Sequence, residues 1–297
     1  MDIAKEKRAI QYLKAFEPQT EPYYLCYSGG KDSDVIRILA SLAGVKHDIE
    51  NNHTTVDAPE TVRYIRSIPN VHINYPKYTM WELIPKKLMP PTRLVRYCCA
   101  ELKEKGGKGR VKITGVRREE SLNRAQNGGV VKVIGKPKST QKLAEEIGAD
   151  FQLTVKGGVV LNQDNDASRR FVESCYRTTS TLINPIVDWT ERDVWEFLGH
   201  YGCKSNPLYE CGYKRVGCIG CPMAGGKGQK REFLHYPKYK EAYIRAFDKM
   251  ILRRQERGLP TVWNSGEECF AWWVGDDFNQ ISFDFDEDWY LDKISED

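Results

Sequence analysis

Apolar residues along this chain follow two alternating rhythms. Residues 6–16 repeat apolar side chains at helical spacing and stop before Pro18, which predicts an amphipathic helix. Tyr23-Tyr24-Leu25-Cys26-Tyr27 then forms a short unbroken apolar run, the mark of a buried strand, and a Gly-containing turn leads into a second amphipathic helix from about Ser33 to Leu42. The unit is predicted to recur. His53-Thr54-Thr55-Val56 reads as a strand, and Asp57-Ala58-Pro59-Glu60 as a turn in which Asp57 caps a helix, Glu60 reaches back and Pro59 sits in the first turn. Val71-His72-Ile73-Asn74 and Val111-Lys112-Ile113-Thr114 supply a third and a fourth strand. Strands alternating with helices predict an α/β fold with a doubly wound, mostly parallel sheet and flanking helices.

Beyond the fourth strand the rhythm changes. Residues 123–165 are rich in Gly, Lys and Asn and read as an insertion of loops and short strands. Thr190-Glu191-Arg192-Asp193 resembles a capping box, with Asp in place of Glu, opening the helix Val194-Trp195-Glu196-Phe197-Leu198. Residues 202–228 are rich in Cys, Gly and Pro, and a long helix is predicted over 237–257. We expect one α/β domain over residues 1–235 and a helical, acidic extension over 236–297.

Composition narrows the class. With 297 residues, 40% of them hydrophobic and 29% charged, the chain is long enough for a sizeable core and near the globular average, so fibrous or wholly disordered character is excluded. No apolar run approaches the roughly 18 residues of a membrane span, and no export signal opens the chain, so a soluble cytoplasmic protein is expected. Nine cysteines in that setting point to metal or catalytic use rather than a disulfide framework. The net charge of +4 hides an asymmetry: residues 266–297 carry −10, leaving +14 on residues 1–265. Such a body attracts a polyanion or a phosphate-rich substrate, unless the acidic end folds back on it.

The turn after the first strand reads Ser28-Gly29-Gly30-Lys31-Asp32-Ser33. Gly29 and Gly30 let backbone approach an anion, and the following helix aims its free N–H groups and positive dipole end at it. Lys31 adds a charge, Asp32 offers a carboxylate to Mg²⁺, and Ser28 and Ser33 supply hydroxyls. An ordinary capped turn would explain the glycines and Ser33 but not Lys31-Asp32 beside them. A Walker A loop is excluded, because Leu25 stands where that pattern needs Gly and Asp32 where it needs Ser or Thr.

This loop resembles that of the N-type ATP pyrophosphatases, Ser-Gly-Gly-x-Asp-Ser, and the chain is similar in particular to their phosphoadenosine-phosphosulfate reductase-like branch. The resemblance spans about residues 20–250 and is carried in order by residues 55–61 (Thr-Val-Asp-Ala-Pro-Glu-Thr), Arg96-Tyr97-Cys98-Cys99, Gly115-Val116-Arg117-Arg118-Glu119-Glu120-Ser121, Asn184-Pro185, Asn206-Pro207-Leu208-Tyr209 and Gly217-Cys218. It implies a loop that binds the phosphates of ATP with Mg²⁺. It also implies a segment beside the nucleotide containing Gly115, Arg117, Arg118 and Ser121, and a turn at Asp57 that flanks the adenosine. Lys31, Asp32 and Arg117 are the residues expected to carry the chemistry.

Cys218-Ile219-Gly220-Cys221 spaces two thiolates for one metal or one cluster edge, and Cys98-Cys99 supplies further candidates. Adjacent residues point about 100° apart on a helix, so Cys175 is kept as a substitute for one of that pair. Cys26 and Cys269 read as small core residues. The residues themselves leave a four-iron cluster, structural zinc and a redox pair open; the resemblance implies a 4Fe-4S cluster, since the family includes adenylylsulfate reductases and DNA-phosphorothioation sulfurtransferases. It thus implies ATP-dependent activation of an acceptor followed by sulfur transfer, with a sulfur donor such as a cysteine desulfurase and, given the basic body, a nucleic acid as partners. Two other readings stand beside it: reduction of an adenylyl sulfate to sulfite, and a nucleotide-binding module without turnover. Reductases of the family tend to have a degraded loop and a C-terminal Glu-Cys-Gly-Leu-His-like tail; here the loop is intact, and the one Glu-Cys-Gly is Glu210-Cys211-Gly212.

Overall fold

A computed structural model of the chain describes residues 1–275. In chain order the elements are α1 (Ile3–Ala15), β1 (Tyr23–Cys26), α2 (Lys31–Ala43), β2 (His47–Asn52), α3 (Pro59–Ser67), β3 (Val71–Asn74), α4 (Met80–Lys87), α5 (Tyr97–Leu102) and β4 (Val111–Ile113). There follow α6 (Leu122–Asn127), β5 (Val131–Ile134), α7 (Pro137–Ile147), β6 (Gln152–Leu153), β7 (Val159–Leu161), α8 (Asp166–Cys175), β8 (Ser180–Ile183) and α9 (Glu191–His200). The last three are α10 (Gly225–His235), α11 (Pro237–Glu256) and α12 (Gly266–Trp273).

Contacts divide these elements into two units, each discontinuous in sequence. The first holds Met1–Asn52, Pro59–Asn74 and Lys105–Val216; the second holds His53–Ala58, Tyr75–Glu104 and the described chain from Gly217 onward. The acidic run after Gly275 lies outside the described residues.

The first unit is the expected α/β body. Its strands lie in the order β3-β2-β1-β4-β8-β5-β7-β6. The five from β3 to β8 are parallel, in registers such as Tyr23↔His47 and Tyr24↔Lys112. β1 and β4 lie at the middle and are almost wholly buried, as strands covered by helices on both faces must be. The core gathers Leu25, Val35, Ile36 and Leu39 with Ile113, Ile183 and Phe197. From β1 the chain winds outward to β2 and β3 on one side, and β4 and β8 continue the sheet on the other. The connections leaving β1 and β4 therefore diverge, and such a reversal opens a crevice at the carboxyl ends of the strands.

Two expectations need correction here. The second strand is β2, at His47–Asn52, and not residues 53–56. Its polar sequence hid it, whereas Thr54-Thr55-Val56 look strand-like but include Thr55 at φ 65°, a left-handed conformation that no strand admits. Residues 123–165 are not loops and short strands alone: they carry helix α7 and strands β5, β6 and β7. These strands extend the sheet in antiparallel fashion beyond β8.

In the second unit α11 packs against α4, α10 and α12. The interior is aromatic, with Phe233, Tyr243, Phe247, Phe270 and Trp273 in mutual ring contact. Trp273 Nε1 donates to the Pro91 carbonyl at 2.6 Å. Among the described residues no helix is long and apolar enough to cross a membrane.

Candidate functional site

In the first unit the crevice is occupied by the turn between β1 and α2. Gly29 has φ +70°, and a Cβ there would fall 2.8 Å from Ile65 Cγ1, so both its backbone angle and its surroundings require glycine. Asn206 Nδ2 donates to the Gly29 carbonyl at 3.1 Å and to Thr61 Oγ1. The Ser33 hydroxyl closes the turn from inside, donating to the Gly30 carbonyl at 2.7 Å and accepting the Gly30 N–H at 3.1 Å, with Ser28 Oγ at 3.4 Å. α2 thus begins with its first-turn amides presented at a glycine turn, an arrangement that favours anions.

The connection after β4 faces it. Gly115 lies so close to the start of α2 that a Cβ would stand 2.9 Å from the Asp32 carbonyl oxygen. Arg117, almost fully buried, donates from Nε to Asp32 Oδ1 at 2.7 Å and from a terminal nitrogen to Glu119 Oε2 at 2.8 Å. Lys31 Nζ donates to the Lys214 carbonyl at 3.1 Å and lies 3.4 Å from Glu191 Oε1. The resulting cleft has a volume of about 430 Å³ and is lined from residues 28–33, 115–120 and 209–216, together with Cys26, Arg124 and Glu191. That size falls in the range of small-molecule sites.

Of the positions expected at the nucleotide, Ser28, Gly30, Lys31, Asp32, Ser33, Gly115 and Arg117 line this one cleft. Gly29 shapes it from behind. Arg118 is committed elsewhere, to the Gly128 carbonyl, Asn162 and Asp188. Ser121 caps α6, accepting the Arg124 N–H at 3.2 Å. Cys26, expected in the core, lines the cleft instead, and burial pushes its thiol up to about 11.

Behind the loop lies a fully buried carboxyl. Asp34 accepts from Tyr27 Oη at 2.7 Å and Tyr64 Oη at 3.0 Å, with Arg37 Nε 4.0 Å away. Burial outweighs these contacts and raises Asp34 to about 6. A carboxyl raised in the folded state binds a proton there before it does in the unfolded chain, so its charge costs stability as pH rises from about 4 through 6. Relative to wild type, Asp34→Asn should therefore gain stability over that window, by up to about 3 kcal/mol. Urea unfolding of both proteins at pH 4.5 and 7.5 measures it; a difference that does not change with pH would overturn the assignment.

The second unit gathers thiols. Cys98 and Cys99 open α5, and Cys218 and Cys221 bracket a turn whose Ile219 N–H donates to the Val56 carbonyl at 2.8 Å. A hydrogen bond to Cys99 holds the proton on Cys98, reinforced by burial and by the nearby Cys218 and Cys221. The same bond favours the thiolate on Cys99, aided by Arg96, which donates to its sulfur at 3.3 Å. Burial raises Cys218, while Lys103 pulls it down; Lys103 remains exposed as a residue, but its ammonium pairs with that sulfur. Asp57, expected beside a nucleotide, belongs to this unit. It forms a backbone bridge with Cys218, accepts the Thr54 N–H at 2.7 Å and lies 3.1 Å from His53 Nδ1.

Helix α10 clamps the thiol turn: Glu232 accepts the Gly220 N–H at 2.7 Å and Gln229 donates to its carbonyl at 3.0 Å. Cys175 is not with this group. It is a buried member of the hydrophobic core of the first unit. Among the described residues no three His, Cys, Asp or Glu side chains gather around a single metal ion. One tetrahedral ion draws its sulfurs to about 2.3 Å, whereas a four-iron cluster takes each thiolate on a separate iron. Four soft donors faced by Arg96 and Lys103 suit such a group by their chemistry.

Sequence reasoning missed Tyr209, Glu191 and Lys214 as parts of the cleft. Tyr209 belongs to the Asn206–Tyr209 segment and Glu191 to the capping box at Thr190, so the local signals are present; what they do not announce is the return of the chain to Lys31 some 160 to 180 residues later.

The chain is similar to several known proteins. An uncharacterized protein of Methanocaldococcus jannaschii is 25% identical over 267 residues, 83% of this chain and 52% of its own length. The chain thus spans about half of that relative. An adenosine 5'-phosphosulfate reductase of Allochromatium vinosum is 45% identical over 42 residues, 14% of this chain and 16% of its own. Among solved structures, the phosphoadenylyl-sulfate reductase of Candida auris, a phosphate complex, aligns at TM-score 0.41 and 17% identity over 72% of this chain and 87% of its own. Residues 22–224 match the phosphoadenosine phosphosulfate reductase domain, a stretch running from β1 past the thiol turn, and the chain belongs to that family.

Proposed function

We propose that the chain is an ATP-using enzyme that adenylates an acceptor and transfers sulfur to it. The observation that carries this reading is the intact glycine turn at the start of α2, with Lys31 and Arg117 converging on one cleft. The α2 amides and Lys31 would bind the β- and γ-phosphates. Arg117 would neutralise charge developing at the α-phosphorus as acceptor oxygen attacks and pyrophosphate departs. Mg²⁺ would share Asp32 with Arg117, whose Nε now holds one carboxylate oxygen. AMP would then leave as sulfur displaces it. Cys98, Cys99, Cys218 and Cys221 would hold a 4Fe-4S cluster, which supplies sulfur or electron-transfer chemistry when bound.

The test is ATP–pyrophosphate exchange by protein purified without oxygen. Exchange supports adenylation; sulfite release from adenylyl sulfate without exchange would instead favour the reductase reading, to which the match with the Allochromatium vinosum enzyme lends its name. The +14 body favours a nucleic acid as acceptor. Binding to mixed-sequence RNA or DNA should weaken by roughly tenfold or more between about 50 and 200 mM salt, as counterions are released. Filter binding across that range measures it, and no binding at the low end would exclude a nucleic acid.

A further inference from the structure

The nucleotide cleft of the first unit contains a group already seated where an anion belongs. Tyr209, in a 3-10 turn at Pro207–Tyr209, points its hydroxyl at the start of α2 and accepts the Lys31 N–H at 2.9 Å. That N–H is the first amide of the helix and, in a glycine-turn cradle, a donor a phosphate oxygen would take. The same hydroxyl lies 3.3 Å from the position a Cβ would occupy on Gly30, so it fills the space that glycine keeps open. The Tyr209 ring is 5.3 Å from Lys31 Nζ, and Trp195 braces it edge-on at 5.1 Å. The Lys31 ammonium is likewise satisfied internally, by the Lys214 carbonyl and Glu191.

We propose that Tyr209 is the stand-in for a phosphate oxygen: its hydroxyl accepts the Lys31 N–H and gives that amide up when nucleotide phosphate binds. The inference rests on the nucleotide reading above and adds to it a residue that sets phosphate affinity. An acceptor at this amide competes with any incoming acceptor, so the hydroxyl lowers affinity for phosphates while sparing the loop an unsatisfied buried donor. The ring, by contrast, supports Lys31 and is retained in Tyr209→Phe.

The test is calorimetric titration of the full chain, wild type and Tyr209→Phe, with inorganic pyrophosphate, ATP and adenosine. The variant should bind pyrophosphate and ATP roughly three- to tenfold more tightly, the worth of one competing hydrogen bond, with adenosine unchanged. Equal or weaker pyrophosphate binding would overturn the proposal, as would an equal gain for adenosine, which signals general loosening. Displacement also has an optical readout: pyrophosphate should alter tryptophan emission in wild type but not in Trp195→Phe, and a full response in that variant would argue that Tyr209 stays in place. Wild type that binds neither pyrophosphate nor ATP would remove the nucleotide reading itself, an outcome distinct from an unaltered Tyr209→Phe.

Discussion

Cys218→Ser and Cys221→Ser are each expected to abolish bound iron and acid-labile sulfide almost completely in protein purified without oxygen, with loss of visible absorption. Thiolate ligands of one group act together, so removing one forfeits most of the binding. Cys98→Ser and Cys99→Ser should behave alike, because the two sulfurs share a hydrogen bond and Cys98 also senses Cys218 and Cys221. Cys175→Ser should keep its iron and lose only stability, about 1–3 kcal/mol for a hydroxyl placed in an apolar core. Full iron retention in Cys218→Ser would refute the site. Stoichiometric zinc in wild type, with no iron, would give the same four residues a structural role.

The second large effect concerns Lys31. Lys31→Ala should lower ATP–pyrophosphate exchange by roughly 100-fold or more, the usual cost of removing a charge aimed at the transition state. The fold should persist, because the variant leaves the Gly29 turn and the Ser33 hydrogen bonds intact, with a modest fall in the thermal transition from the lost contacts of this buried lysine with the Lys214 carbonyl and Glu191. Asp32→Ala should also abolish exchange, by a different route: it leaves Arg117 without one of its two carboxylate partners and removes the proposed seat of Mg²⁺. Undiminished exchange in both variants would end the assignment of the loop.

The sequence was most legible where local chemistry and local structure coincide. Residues 28–33 combine glycines with Lys-Asp, and a turn of that composition between an apolar strand and an amphipathic helix has few other uses. The capping box Thr190 to Asp193 was equally plain and forms with Asp in the Glu position. β2 was misplaced because its residues are mostly polar and gain their strand character from pairing with β1 on one side and β3 on the other. Thr55 misled for the converse reason: a β-branched residue held at positive φ, its hydroxyl accepting the Met80 N–H at 2.9 Å, is a tertiary outcome that no local pattern announces. The loop and the facing connection with Gly115 and Arg117 were legible, whereas Tyr209, Glu191 and Lys214 reach the cleft through long-range folding, and the division into two interleaved units follows from contacts rather than from any change in composition.

That interleaving sets a timetable. The chain is made from its N-terminus, and Cys98 and Cys99 precede Cys218 by more than a hundred positions; at about 5–20 residues per second the gap is roughly 6 to 24 s. During it, helix α5 has neither the thiol turn nor the aromatic interior of α10, α11 and α12 to pack with. The nascent protein therefore carries two adjacent, unsheltered thiols past every oxidant and stray metal it meets before the ribosome delivers their partners.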